Sequence, residues 1–321
     1  MRPPRSRQAA AEPTAGPAAD EGPSGTMRIA KAIARAGICS RRDAERMIEE
    51  GRVSVNGTLL TSPALNVGPG HKIVVDGKPL PQAEGVRLWR FHKPRGCVTT
   101  NKDPEGRPTV FEKLPEGMPR VISIGRLDFN SEGLLLLTND GELARHLELP
   151  ATGWLRRYRA RAWGTVTLEQ LEALGKGVMV DGVQYEPIEA RLDREQGDNV
   201  WLTLGLREGK NREVRKVLGS LGLDVNRLIR VSFGPFQLQD LEPGAAKEID
   251  RRVLRDQLGP GLAEKFGLTG RAPEPAVPER KTRPPLRGKP PRPMRDDRGK
   301  PAASAKRPVA KRPATKRPRA R

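Results

Sequence analysis

One short polar turn combines an acid and a base where a folded protein could present them. Arg126 and Asp128 lie in the segment ISIGRLDFNSEGLLLLTNDGEL, between apolar residues 121–124 and 134–138 that are typical of buried strands. A carboxylate at the end of a buried strand is held by a rigid scaffold and can act as a nucleophile. A loop aspartate also commonly closes its own turn. The residues alone leave both interpretations of Asp128 open.

Most other catalytic patterns are missing from the sequence. No glycine-rich phosphate loop follows a strand with the required spacing, and no Ser, His and Asp constellation stands out. Cys39 and Cys97 are the only cysteines and the three histidines are scattered, so neither a disulfide framework nor a metal site is predicted. The chemistry must therefore come from carboxylates, Lys, Arg or Tyr.

The polar turn belongs to a segment whose patterns predict an α+β domain with a largely antiparallel sheet. Strand patterns cover residues 88–91, 121–124, 134–138, 158–166, 200–206 and 227–233. Helical spacing covers residues 142–149, 168–174 and the segment that follows Asn211. Thr167 and Asn211 are predicted to cap the last two helices.

The aromatic residues place the heavier core in this domain. All twelve of them lie between Trp89 and Phe266. Because aromatic side chains bury large areas, the hydrophobic core is expected to be built around them. We place Trp89, Trp163, Trp201 and Cys97 in that core.

A smaller unit without aromatic residues precedes this domain. Thr26 can cap a helix that starts near residue 28, and Ser40 can cap a second helix. Strand patterns then end in an Asn-Gly pair at 56–57 and an Asp-Gly pair at 76–77, which are strong signals for tight hairpins. The helices carry many basic residues, which either form a solvated surface or contact phosphates.

The positive charge is concentrated at one end of the chain. The 321 residues include 59 Lys and Arg against 39 Asp and Glu, a formal charge of +20, which favours a polyanionic partner. Residues 271–321 hold 18 basic and 4 acidic residues, 12 prolines and no aromatic residue, so +14 lies in a segment that cannot build a core. No apolar run is long enough for a membrane span or a signal peptide, and we expect a soluble, cytoplasmic protein.

The N-terminal unit resembles the αL-type RNA-binding motif. The stretch RIAKAIARAGICSRRDAERMIEEGRVSVNG has the motif's helix, its break at Gly37, its Ser-Arg-Arg start of a second helix at 40–42 and its Val-Asn-Gly turn. In that family the helix pair docks on structured RNA through basic residues. The resemblance implies RNA contacts by Arg35, Arg41, Arg42 and Arg46.

The larger domain resembles the bacterial ribosomal-RNA pseudouridine synthases of the RsuA/RluB type, and is closest to the large-subunit RluB branch. Three blocks carry the resemblance in the family's order: HKPRG at 92–96, GRLDFNSEGLLLLTNDGEL at 125–143 and EGKNREVRKVL at 208–218. The resemblance implies isomerisation of uridine to pseudouridine in ribosomal RNA, here the large-subunit 23S RNA, after the base is flipped out, without cofactor or metal. We expect a monomer whose partner is ribosomal RNA or a large-subunit assembly intermediate, and no membrane partner.

The resemblance also assigns roles to single residues. It implies that Asp128 is the nucleophile, attacking either the ribose or the base, and that Lys210 is a cation that keeps this carboxylate charged. Tyr158 matches the family's active-site tyrosine, which can stack on uracil and move protons. The residues expected to bind substrate are Arg126, Leu206 and Arg212, although Arg212 also fits an ordinary solvated position.

Patterns and resemblance together divide the chain into five parts. They are a disordered extension (1–26), the αL domain (27–82), a linker (83–87), the catalytic domain (88–258) and a disordered basic tail rich in proline (259–321).

Two other functions compete with the isomerase. A hydrolytic glycosidase would use a second carboxylate, for which Glu132 is the nearby candidate, and it would release free uracil. A ribosome-assembly factor or RNA chaperone would use the αL domain and the basic tail, with the larger domain as a scaffold.

Overall fold

The computed structural model of the protein describes residues 25–270. The predictions about residues 1–24 and 271–321, which concern the extension and most of the basic tail, fall outside these residues. The N-terminal domain has two helices, α1 (Ile29–Arg35) and α2 (Arg41–Glu49). Its strands are β1 (Met27–Arg28), β2 (Val53–Val55), β3 (Thr58–Leu59), β4 (Asn66–Val67), β5 (Ile73–Val75) and β6 (Lys78–Pro79).

Local sequence signals explain most of this domain. Ser40 caps α2 as predicted, since its Oγ accepts a hydrogen bond of 3.1 Å from the Asp43 N–H. Asn56 and Gly57 both have positive φ, 52° and 85°, as the predicted tight hairpin requires. The predicted Thr26 cap is wrong: residues 27 and 28 pair with β4, and α1 starts after Arg28 without a side-chain cap.

The larger domain follows from residue 88. Its helices are α3 (Gly141–Glu148), α4 (Leu168–Ala173), α5 (Glu213–Ser220) and α6 (Arg251–Lys265). Its strands are β7 (Leu88–Lys93), β8 (Ile122–Ile124), β9 (Ser131–Thr138), β10 (Arg156–Trp163), β11 (Val178–Val180), β12 (Val183–Tyr185), β13 (Glu189–Gln196), β14 (Asn199–Leu206), β15 (Asp224–Phe233), β16 (Phe236–Gln237) and β17 (Ala246–Glu248).

One mixed sheet dominates this domain. Within residues 25–270 it has nine strands, with the order β13-β14-β10-β15-β9-β7-β17, while β16 pairs with β15 and β8 with β9. All pairs are antiparallel except β9 with β15, so the α+β domain with a mainly antiparallel sheet is confirmed. Helices α4 and α5 contribute to a core on one face of β10 and β14, whereas α3 and α6 contribute to another core beside β7 and β9.

Gly133 is where the two halves of the sheet come closest. It has a φ of +105°, and a Cβ on this residue would lie 2.4 Å from the carbonyl oxygen and 2.7 Å from the nitrogen of Arg230. Only glycine fits such an approach between two backbones. The parallel pairing of residues 131–133 with 228–230 therefore requires glycine at this position.

Three boundary or core predictions need correction. Asn211 does not cap α5, because the residue before the helix is Arg212, with a φ of +53° and no side-chain cap. The tail was predicted to begin at residue 259. The helix is interrupted there, since Gly259 has a φ of +77° and Pro260 follows, but a further helical segment extends to Lys265, and Phe266 and Leu268 are buried. Trp163 is not in the core, since 57% of it is exposed, whereas Trp89, Trp201 and Cys97 are buried as predicted.

Ion pairs join the N-terminal domain to α3. Lys31 lies 2.5 Å from a carboxylate oxygen of Glu142, and Arg35 lies 3.3 Å from Oδ2 of Asp140. The other oxygen of Asp140 caps α3 by accepting the N–H groups of residues 142 and 143. Arg35 was predicted to bind RNA, and here its charge is already balanced by a carboxylate.

The other predicted RNA contacts lie on α2. Arg41 and Arg42 are exposed and have no acidic partner among residues 25–270, whereas Arg46 pairs with Asp43 at 2.7 Å. RNA contact by these residues stays a prediction.

We expect Gly133→Ala to destabilise the protein by about 3 kcal/mol or more, because the new methyl group overlaps the Arg230 backbone and the positive φ strains any other residue. Denaturant unfolding measures this loss. Gly219→Ala is the matched control, since that glycine lies inside α5 with open space around it and alanine favours helix there. Equal stability of the two variants would contradict the tight approach of β9 and β15.

Candidate active site

An open cleft of about 760 Å³ collects the residues that the sequence singled out. These residues are far apart in the sequence, and the folded sheet brings them together around one cleft. Its lining includes all six predicted catalytic and substrate-binding residues: Arg126, Asp128, Tyr158, Leu206, Lys210 and Arg212. The structure thus places them together, and their roles stay predictions.

The turn that carries Asp128 is fixed by hydrogen bonds to its backbone. The Thr99 hydroxyl donates to the carbonyl of Leu127 at 2.9 Å and accepts the Leu127 N–H at 3.2 Å. The Gly125 N–H donates to the Glu148 carboxylate at 2.7 Å, and the Ser131 N–H donates to the Asp128 carbonyl at 3.0 Å. Backbone groups on both sides of Asp128 are therefore anchored, as a positioned nucleophile requires.

The Asp128 carboxylate itself is left free by this anchoring. The residue is half-buried, and among residues 25–270 no side chain donates a hydrogen bond to its carboxylate oxygens. The Asp128 side chain therefore does not close the turn, and the alternative in which it has only this structural role does not fit the geometry. A carboxylate that is half-buried, fixed in position and without a partner can reach a substrate atom in the cleft.

Two cations for which the sequence indicated no role at the nucleophile interact with this carboxylate. Lys93 is fully buried, and its ammonium donates to the carbonyl of Ser131 at 2.9 Å and to that of Pro94 at 3.1 Å. Burial lowers the pKa of Lys93, and the negative charge of Asp128 acts in the opposite direction. In the sequence, Lys93 belongs to the HKPRG block at 92–96, but nothing there indicates these hydrogen bonds.

Arg215 is the second such cation. Its guanidinium donates to the carbonyl of Val225 at 2.6 Å and to that of Asn130 at 3.4 Å. Burial lowers the pKa of Arg215, and the charge of Asp128 partly offsets this shift. Both cations therefore bond the backbone of the Asp128 turn while their charges act on its carboxylate.

Lys210 has a different environment from the one its predicted role needs. Its ammonium bonds a carboxylate oxygen of Glu208 at 2.5 Å and the Gln184 carbonyl at 2.8 Å. It lines the cleft, but its charge is already paired with Glu208. A role for Lys210 beside Asp128 stays a prediction, and the contacts in this structure favour Lys93 and Arg215 for it.

The wall opposite Asp128 combines an aromatic ring with buried arginines. Arg156 and Tyr158, two residues apart on β10, both face the cleft. Leu206 on β14 lies opposite Arg156 and also lines the cleft. Arg156 and Arg230 are both buried, with guanidinium carbons 4.8 and 5.2 Å from the ring centre of Phe233. One terminal nitrogen of Arg230 has no partner among the described residues, so this wall can still donate to an acidic or carbonyl group.

Glu213 holds the turn that presents Arg212. Its carboxylate accepts a hydrogen bond of 2.9 Å from the backbone N–H of Lys210, and this bond spans Arg212, whose φ is +53°. Glu213 is buried, and its Oε1 has no partner among residues 25–270. Burial raises the pKa of Glu213 to about 7, while the hydrogen bond from Lys210 opposes the shift. This reach-back bond replaces the Asn211 cap that the sequence suggested.

Comparison with known proteins places both domains. Residues 87–220 match the family model of RNA pseudouridylate synthases, and residues 27–73 match that of the S4 domain. An uncharacterised RNA pseudouridine synthase of Rickettsia felis is 50% identical over 228 residues, which are 71% of this chain and 99% of the relative. Ribosomal large subunit pseudouridine synthase B of Pseudomonas aeruginosa is 42% identical over 260 residues, which cover 78% of this chain and 67% of the relative.

A solved structure agrees with these matches. The crystal structure of a pseudouridylate synthase is 26% identical, covers 72% of this chain and 99% of its own, and has a TM-score of 0.50. The fold, the cleft and these similarities together define an enzyme class: the chain belongs to the RNA pseudouridine synthases. Within that class it is of the RsuA/RluB type, with an S4 domain before the catalytic domain.

Two further properties concern the residues that the structure describes. No helix between residues 25 and 270 combines the length and the apolar content needed to cross a bilayer. The same residues contain no group of three or more His, Cys, Asp or Glu side chains placed to hold a metal ion.

Thr99→Val is expected to lower kcat at least about tenfold with little change in KM for RNA. The variant keeps the shape of the side chain but leaves the N–H and C=O of Leu127 without their partner, which releases the turn that aims Asp128. Single-turnover and steady-state kinetics measure both constants. Thr100→Val is the control, since Thr100 also lines the cleft but bonds Lys102 rather than the turn. An equal loss in both variants would contradict the anchoring role.

Glu213→Gln should stabilise the protein at alkaline pH. The folded-state pKa of about 7 lies above the unfolded value of about 4.3, so the folded state holds more protons between these values and stability falls as pH rises through them. Glutamine cannot ionise and still accepts the Lys210 N–H. We expect the stability advantage of Glu213→Gln, measured by denaturant unfolding, to grow by about 2 kcal/mol between about pH 5.5 and pH 8.

The matched control for this pH dependence is Glu172→Gln, which removes an exposed carboxylate from α4. Its effect on the free energy of unfolding should stay constant over the same interval. A pH-independent advantage of Glu213→Gln would show that the buried carboxyl is not protonated near neutral pH.

Proposed function

We propose that this enzyme converts uridine to pseudouridine in large-subunit ribosomal RNA, with Asp128 as the nucleophile that acts on a flipped-out uridine. The observation that carries this proposal is the free, rigidly anchored Asp128 carboxylate in a cleft whose other charges are largely basic. The name of the Pseudomonas aeruginosa relative supports large-subunit RNA as the substrate.

The reaction needs only groups that this chain supplies. The bond between C1′ of the ribose and N1 of uracil breaks, the base turns, and C1′ bonds to C5. C5 then loses a proton and N1 gains one, so the atomic composition of the RNA does not change. Asp128 adds either to C1′ or to C6 of the base, and both routes place the same carboxylate against the same nucleotide.

The surroundings of Asp128 suit this nucleophilic role. The charges of Lys93 and Arg215 interact with Asp128, and both cations bond the backbone rather than the carboxylate oxygens. No described side chain therefore occupies the carboxylate oxygens through a direct ion pair. Tyr158 offers a ring for stacking on the uracil and a hydroxyl for proton transfer.

Binding energy must offset the removal of the uridine from its stack, which costs a few kcal/mol. The exposed Arg126 and Arg212 at the cleft and Arg41 and Arg42 on α2 are placed to contact phosphates. Such contacts release counterions, so the affinity for RNA should fall as salt increases.

Asp128→Asn is expected to bind ribosomal RNA within about twofold of the wild type and to form no detectable pseudouridine, since it keeps the size of the side chain and removes the nucleophile. Filter binding measures the affinity, and release of tritium from RNA labelled at C5 of uridine measures pseudouridine formation, since C5 loses its hydrogen in the reaction. Glu132→Gln is the control: Glu132 pairs with Arg227 at 2.6 Å, does not line the cleft and should not be required for isomerisation.

Three results would contradict the proposal. They are an equal loss of binding and activity in Asp128→Asn, a requirement for Glu132 with release of free uracil, and an unchanged pseudouridine map of ribosomal RNA in cells that lack the gene. The second would favour hydrolysis. The third would favour a non-enzymatic role in ribosome assembly.

A further inference from the structure

One face of the large sheet is open where the opposite face lines the cleft. On β10, Arg156 and Tyr158 face the cleft, so the alternation of a strand places Arg157, Arg159 and Arg161 on the other face. Helices α3 and α6 belong to the core beside β7 and β9, whereas the core of β10, β14 and β13 lies on the cleft side with α4 and α5. Among residues 25–270, no helix covers the back of these three strands.

The accessible side chains of this surface are arginines and one tryptophan, which lie over a second, buried tryptophan. We call it the arginine face, and its members are Arg157, Arg159, Arg161, Trp163, Arg191 and Arg194 together with the buried Trp201. The register places them side by side, with Arg161 opposite Trp201 and Arg194 opposite Trp201 on the next strand. Trp163, which the sequence assigned to the core, is 57% exposed at the end of β10.

The guanidinium groups are arranged over an aromatic base. The guanidinium carbons of Arg159 and Arg194 lie 5.0 and 5.7 Å from the ring centre of Trp201, within the range of cation–π attraction. Stacking of this kind holds the planar groups and leaves their N–H donors free at the edges. The Nε of Arg161 is shielded from solvent and has no acceptor among residues 25–270.

Few acids neutralise these charges. Asp193 pairs with Arg191 at 2.9 Å and lies 3.7 Å from Arg159. Arg157, Arg161 and Arg194 have no acidic partner within the described residues. Arg52 and Arg107, in contrast, are each bonded to a carboxylate at 2.7–2.8 Å. Three arginines of the arginine face lack such a partner within residues 25–270.

We propose that the arginine face binds the phosphate backbone of a second segment of the substrate RNA, and that Trp163 stacks on an unpaired base of that segment. The inference rests on the proposed function, because it takes the RNA as the polyanion. Arginine donates in a planar fork that fits phosphate, and exposed aromatic rings accept bases without sequence preference.

The position of the face determines which part of the RNA it can meet. It lies behind the sheet whose front holds Asp128, and β13 is the edge strand beside it. A nucleotide in the cleft cannot touch both faces. The second segment must pass around the β13 edge or belong to another helix of the same RNA, so long substrates should gain affinity that short ones do not.

The test compares two RNAs with the full-length protein: the shortest ribosomal RNA fragment that the wild type modifies, and protein-free full-length large-subunit RNA. The variant is Arg157→Gln/Arg161→Gln/Arg194→Gln, which removes three charges without unpairing Asp193. Its affinity for the long RNA should fall about tenfold or more near physiological salt, and the slope of log Kd against log salt should decrease by about 2 to 3. Its rate of pseudouridine formation on the short fragment should equal that of the wild type.

A matched control removes the same charge from another surface. Arg252→Gln/Arg255→Gln/Lys265→Gln changes three exposed residues of α6 and should leave the affinity for both RNAs unchanged. Trp163→Ala should weaken binding of the long RNA without changing the salt slope, since stacking releases no counterions.

Three outcomes would overturn the inference. The first is an affinity of the arginine variant for long RNA equal to that of the α6 control, and the second is an equal loss on the short fragment. The third is a loss confined to assembled particles with protein-free RNA unaffected, which would identify a ribosomal protein as the partner. Failure of the proposed function is distinguishable, because the wild type itself would then form no pseudouridine on either RNA.

Discussion

The active site depends on one short parallel contact, the pairing of β9 with β15 over three residues. Asp128 belongs to the half of the sheet formed by β7, β8 and β9, whereas Tyr158 and Leu206 belong to the half formed by β10, β14 and β15. The contact at Gly133 and Arg230 joins these halves. A change of register there would move the nucleophile along the cleft relative to the ring that faces it, since neighbouring residues of a strand are about 3.3 Å apart.

At Asp128, hydrogen bonds act on the backbone of the turn, and charges act on the side chain without a direct contact. Lys93 and Arg215 donate hydrogen bonds to the backbone carbonyls of residues 131 and 130, respectively. The Thr99 hydroxyl donates to the carbonyl of residue 127. Backbone bonds fix the position of Asp128, and long-range charge acts on its carboxylate. A direct ion pair would have fixed the carboxylate too, but it would have occupied the lone pairs that the reaction uses.

The sequence predicted much of this architecture, for reasons that are local. Periodicity located six strands of the main sheet but not its edge strand β13, and Ser40 and Thr167 cap their helices as expected. Asp128 was recognisable between two apolar strands. The wrong predictions concern residues whose environment depends on contacts that the local sequence pattern does not contain. Glu213 reaches back to hold the turn before α5. Trp163 lies on a strand whose outer face is not covered by any helix of residues 25–270, and periodicity cannot distinguish such a strand from a buried one. The partners of Lys93 and Arg215 are backbone carbonyls, which leave no signal in residue types.

Helix α3 contacts the S4 domain at one end and the turn that carries Asp128 at the other. Its first turn holds the S4 domain through Asp140 and Glu142, and Glu148 at its last residue holds the Gly125 N–H of the catalytic turn. Eight residues of helix form a rod about 12 Å long between these attachments. The orientation of the S4 domain and the aim of Asp128 are thus set at opposite ends of one rod. Residues 83–87 could vary in length without altering that relation, whereas each residue inserted into α3 would turn one end against the other by about 100°.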